Sequence, residues 1–143
     1  MSEQVFAVRW VVEGQAAGEV LASRTALSFW GGVDPAAGIV LDRQHDLCGR
    51  CVTGRVLVLP GARGSSSSSA VMLEMIRQGT APAAIVSVSA EPILVSGSII
   101  GRHLYGRWVP VATVDPETFE KIAGASWMGL GPGPVARVRY GHR

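Results

Sequence analysis

The chain has 143 residues, 48% hydrophobic and 17% charged, with a formal net charge of +2 and a mean hydropathy of +0.29. That length suits one domain, residues 1–143, able to bury a core without disulfides or a structural metal, and so apolar a composition leaves surface for a partner to cover. Scattered Arg and Lys, no apolar run near the roughly 20 residues of a membrane span, and an N-terminus unlike a signal peptide argue against nucleic acid and membranes and for a cytoplasmic protein.

Val5 to Val12 and Gly18 to Leu21 read as strands separated by a Gly/Ala turn. Leu27 to Trp30, a turn over Gly31-Gly32-Val33-Asp34-Pro35, and Gly38 to Leu41 continue a β-rich first half, with glycine and proline marking each reversal. Val56 to Leu59 is a short β-branched run suited to a strand covered on both faces. The segment from Ala70 to Gln78 places Val71, Met72, Met75 and Ile76 on one helical face and stops near Gly79, with Pro82 beyond. Ala84 to Val88 is a strand, and Ile93 to Ile100, ending at Gly101, fits a strand or a short helix. Val109 to Val114 is a strand. Asp115-Pro116-Glu117 has the chemistry of a helix start, and Val135 to Tyr140 alternates as a closing strand. The sum is an α/β domain with a mixed sheet and no internal repeat.

The most informative stretch joins the Val56 strand to the Ala70 helix through Pro60-Gly61-Ala62-Arg63-Gly64 and five serines, Ser65 to Ser69. Gly/Ser-rich runs serve as linkers or as capped turns, but a linker separates domains, and this run is hemmed by a strand and a helix. Hydroxyls at a strand-to-helix junction meet free backbone N–H groups and the positive end of the helix dipole, which stabilise negative charge. Cys48-Gly-Arg-Cys51 fits a redox pair, half of a metal site, or two ordinary small residues. His45, His103 and His142 have no ligand spacing with that pair, so a complete four-ligand site within the chain is not expected. His45, near Asp42, reads as an exposed loop histidine, with a place lining the interface or site as the alternative; His103, Tyr105 and Trp108 read as packing or interface residues.

Three blocks, Gly54-Arg55-Val56-Leu57-Val58-x-Pro60-x-x-Arg63-Gly64-Ser65-Ser66, Gly79-Thr80-Ala81-Pro82-x-Ala84-Ile85 and Ala90-Glu91-Pro92-Ile93, resemble the small, swivel-domain subunit of the aconitase X family over most of the chain. The resemblance implies a swivelling β/β/α fold and a hydro-lyase that dehydrates a 3-hydroxy acid. It implies a heteromer in which no cofactor is bound by this chain and a large subunit carries iron or an iron–sulfur cluster. It also implies that Ser65 is the proton-abstracting base. Arg63, Gly64 and Ser66 are candidates for substrate binding, and Glu91 for a place near the same face. Cys48 and Cys51 do not belong to the family pattern. The Ala/Gly/Arg-rich composition favours conversion of cis-3-hydroxy-L-proline to Δ1-pyrroline-2-carboxylate over dehydration of phosphomevalonate. A non-catalytic anion-binding module and a thiol redox protein are the readings from other classes.

Overall fold

The computed structural model describes residues 3–63, 67–89 and 92–141. Among these, eight strands form one sheet: β1 (Glu3–Ala7), β2 (Arg9–Val12), β3 (Ala16–Ala22), β7 (Val56–Leu59), β9 (Ala84–Ser87), β10 (Val111–Thr113), β11 (Trp127–Leu130) and β12 (Val135–Arg139). Their spatial order is β1-β12-β11-β3-β7-β9-β10-β2. The stretch β3-β7-β9-β10 is parallel, and the flanking pairs are antiparallel. Short pairs are made by β4 (Leu27–Ser28) with β8 (Ala62–Arg63) and by β5 (Val33–Asp34) with β6 (Ile39–Val40). The helices are α1 (Ser67–Gln78), α2 (Pro92–Tyr105) and α3 (Pro116–Ile122).

The apolar run Val5 to Val12 is two strands rather than one. β1 and β2 lie on opposite edges of the sheet, yet Val8 alone joins them. One residue reaches only about 3.5 Å, so the two edges must meet and the sheet must curl. Val8 turns inward at this seam and donates its N–H to the Pro134 carbonyl (3.0 Å). Strand alternation explains what fills the curl. Val56 and Val58 of β7 point into it and pack with Val86, Met128, Leu130 and Val138, while Phe119 and Ile122 of α3 join the same cluster. Leu57 and Leu59 point the other way, against Met72, Met75 and Ile76 of α1 and the Phe29, Val33 and Val40 excursion. Two β layers and one helical layer result, with the parallel strands in the middle.

α1 follows the predicted helix but begins at Ser67, and it stops at Gly79, whose φ of +81° suits only a residue without a side chain. The Ile93 to Ile100 segment is helical and runs through Gly101 to Tyr105. Gly101 does not end it, because the glycines serve packing: a Cβ on Gly97 would stand 2.6 Å from the Ser69 carbonyl oxygen, and one on Gly101 2.9 Å from the tip of Ile76. The close approach of α2 to α1 therefore depends on these two positions. No helix among the described residues is long and apolar enough to cross a membrane.

α3 begins as its sequence demands. Asp115 caps it by accepting the Thr118 N–H at 2.7 Å, Pro116 opens it, and hydrogen bonding from Thr118 holds the Asp115 carboxyl below the usual aspartate range. A depressed folded-state pKa means that the cap stabilises fully above the unfolded value of about 3.9 and stops doing so as pH falls through the lower folded value. Asp115→Ala is thus expected to lower the thermal midpoint at pH 7. The gap to wild type should close on acidification, as scanning calorimetry from neutral to acid pH will show.

Candidate functional site

All four residues of β7 are buried, so its exit is fixed by packing on both faces. Pro60 and Gly61 lead into β8, which pairs in parallel with β4, Ser28 opposite Arg63. Two loops are clamped at this exit. The Ser89 N–H donates to the Pro60 carbonyl (3.2 Å), and a Cβ on Gly61 would lie 2.9 Å from Ser89 Oγ, so the two loops touch here. The Ser87 hydroxyl donates to the Ser89 carbonyl (3.0 Å) and braces the second loop.

The serine run enters α1 at Ser67, so Ser67, Ser68 and Ser69 form its first turn. The Ser68 hydroxyl is buried, with no hydrogen-bond partner among the described residues. Neither α1 nor α2 carries an acidic residue in its first turn. Each follows a parallel strand, so both helix N-termini lie at the carboxyl edge of that set of strands, where open α/β sheets bind ligands. At the same edge, where β9 and β10 end and α3 begins, is a hollow of about 400 Å³ lined by Arg9, Val88, Thr113, Asp115 and Pro116. No carboxylate pairs with Arg9 among the described residues. On the β3 side of the edge, Arg24 is neutralised by Glu120 (2.7 Å).

Of the residues expected at the site, Gly64, Ser65, Ser66, Ala90 and Glu91 lie outside the described residues, as does His142. Arg63 is placed by its backbone in β8; its side chain is outside the described set. The structure thus fixes both flanks of the serine run, β8 and α1. Sequence reading passed over Arg9 and the contact between the Gly61 and Ser89 loops. Arg9 left one trace, a charge interrupting an otherwise apolar stretch between Val8 and Trp10.

His45 is a correction. It is buried, not exposed: its Nδ1 accepts the Leu47 N–H (3.1 Å) and Nε2 lies 3.0 Å from the Thr25 carbonyl. An acceptor Nδ1 leaves the proton on Nε2, which then donates to Thr25, so both ring nitrogens serve loop structure. Asp46, 3.2 Å from Nδ1, is instead satisfied by the Ser23 hydroxyl. Trp108 donates to the Glu13 carbonyl (2.9 Å) and lies under Arg102, in keeping with a packing role, whereas His103 and Tyr105 are exposed. Cys48 and Cys51 are free thiols. Hydrogen bonding to Thr53, first its side chain and then its backbone, holds the Cys51 thiol below its ordinary range. Among the described residues no group of three or more His, Cys, Asp or Glu is disposed to hold a metal.

Curled antiparallel strands, a central parallel set and two helices over one face define a swivelling β/β/α domain. Residues 5–133 match the aconitase X swivel domain, and the chain belongs to that family. The crystal structure of Thermococcus kodakaraensis aconitase X superposes with a TM-score of 0.80 at 30% identity, over 94% of this chain and 98% of that one. Cis-3-hydroxy-L-proline dehydratase of Pseudomonas aeruginosa is 46% identical over 125 residues, 87% of this chain but 21% of that protein. The phosphomevalonate dehydratase small subunit of Methanopyrus kandleri is 58% identical over 90 residues, 63% of this chain and 67% of the subunit. The chain therefore spans about a fifth of one relative and two thirds of the other.

Proposed function

We propose that this chain is the swivel part of a hydro-lyase acting on a 3-hydroxy acid, completed by an aconitase X large subunit or its equivalent. The observation that carries the reading is the junction itself: a serine run entering α1 at the carboxyl edge of the parallel strands, beside two helix N-termini with no acidic residue in their first turns. Dehydration removes a proton next to a carboxylate and expels a hydroxyl from the neighbouring carbon. By the family pattern Ser65 takes the proton, while Arg63, Gly64 and Ser66 hold the substrate. A serine hydroxyl is a poor base unless its alkoxide is stabilised, and helix N-terminal N–H groups supply that stabilisation. The large subunit's iron or iron–sulfur centre supplies Lewis-acid help to the departing hydroxyl.

The substrate we favour is cis-3-hydroxy-L-proline, because the match to its dehydratase extends over 87% of this chain against 63% for the phosphomevalonate subunit. Loss of the C2 proton and the C3 hydroxyl as water gives an enamine, which tautomerises to Δ1-pyrroline-2-carboxylate. The test is turnover of each acid by this chain assembled anaerobically with its large subunit, and by each component alone. Turnover of cis-3-hydroxy-L-proline that needs both components is expected. Turnover of phosphomevalonate alone reassigns the substrate, and binding without turnover of either acid points to an anion-binding module.

A further inference from the structure

α2 packs on α1 with one face and leaves the other bare. Gly97, Ser98 and Gly101 are buried, Val95 packs on the core, and Ser98 holds both the N–H and the carbonyl of Val109. On the opposite face, Ser96, Ile99, Ile100, His103 and Leu104 recur at three- and four-residue spacing, which puts them on one stripe. Ile99, Ile100 and Leu104 are 51%, 43% and 57% exposed. Three large aliphatic side chains aligned on one exposed helix face are a docking surface rather than scattered exposure.

Charge says what docks. The fourteen residues of α2 include no carboxylate, and Arg102 and His103 stand in its last turn. Arg107 follows, and Glu74, the one acidic residue of α1, is taken by Arg77. A second copy of the chain is a poor occupant. Antiparallel pairing of two α2 helices would set each basic end against the positive N-terminal end of the other, and parallel pairing would set basic end against basic end. The occupant must offer an apolar strip flanked by carboxylates. In the Pseudomonas aeruginosa relative this domain is about a fifth of the protein, so its surface there adjoins a much larger body.

We propose that the Ile99-Ile100-Leu104 stripe of α2 docks on the large subunit of the dehydratase, against an apolar strip with carboxylates facing Arg102 and His103. The proposal rests on the functional reading above, and places the contact along the helix whose N-terminus lies at the candidate site. The experiment measures the affinity of the purified chain for its large subunit by calorimetric titration, with wild type and Ile99→Glu/Leu104→Glu, and needs no turnover. The double variant is expected to bind roughly 10- to 100-fold more weakly, the range of central interface residues. Because both side chains are solvent-exposed, the thermal midpoint of the isolated chain should stay unchanged. Affinity equal to wild type overturns the proposal, as does a wild-type chain that self-associates through this stripe or forms no complex. A complex weakened by the variant that dehydrates neither acid overturns the functional reading alone; an active complex indifferent to the variant overturns the docking surface alone.

Discussion

Ser65→Ala in the assembled enzyme is expected to lower kcat by about 10³-fold, within the 10²- to 10⁴-fold that a positioned general base contributes, while KM changes little. The split follows from the division of labour proposed above: Ser65 handles the proton, whereas Arg63, Gly64 and Ser66 hold the substrate. Steady-state kinetics at saturating large subunit will check it, with exchange of the substrate's C2 proton into deuterated solvent as a second readout. Exchange should vanish in the variant if Ser65 takes the proton and persist if it only binds. Ser68→Ala is the control in the same turn of sequence. Its hydroxyl is buried and has no hydrogen-bond partner among the described residues, so its removal should leave turnover intact. Equal losses in both variants would mean that the helix start had been disturbed.

The second large effect is expected far from any chemistry. Gly97→Ala puts a methyl group 2.6 Å from the Ser69 carbonyl oxygen and 3.2 Å from Met72 Cβ. Neither atom can swing aside, because one is helix backbone and the other is fixed to it. α2 must move off α1, and overpacking of this kind costs about 1–3 kcal/mol, offset by the roughly 1 kcal/mol that alanine gains in helix propensity. Gly101→Ala meets the Cδ1 tip of Ile76 at 2.9 Å, which can turn aside, and the Arg107 carbonyl oxygen only at 3.2 Å, so it should cost less than Gly97→Ala. Urea unfolding of the two variants side by side checks the contrast. Equal midpoints would show that α1 and α2 are free to separate.

These glycines also show where the sequence is hard to read. β7 and α1 were legible because burial on both faces leaves a continuous apolar run and burial on one face leaves a 3.6-residue period. α2 obeys neither rule cleanly: two glycines needed for contact look like helix stops, and its bare stripe makes the apolar residues run almost all the way round. β11 was missed because Trp127-Met128-Gly129-Leu130 leads straight into Gly131-Pro132-Gly133-Pro134, punctuation that reads as loop. His45 looked exposed because burial of a polar ring depends on two backbone partners, Thr25 and Leu47, that no periodicity announces. For the site, local pattern announced the strand before the serine run and the helix after it; the helix takes in Ser67 to Ser69, and Ser65 and Ser66 lie outside the described residues. Arg9 reaches the same edge through a pairing of β2 with β10 over a hundred residues apart, and nothing local encodes it.

The seam at Val8 bears on how the chain acquires its shape. β1 completes the sheet by pairing with β12, Glu3 opposite Arg139, so β1 must wait until β12 has been made. Ladders that close such long loops form slowly, and until they form their edges stay open to other chains. The parallel core of β3, β7 and β9 with α1 uses contacts nearer in sequence and can assemble first. The serine junction would then exist before the curl is sealed. During synthesis the vulnerable interval is therefore the wait for β12, when β1 and the free edge of β11 are unpaired and available for mispairing.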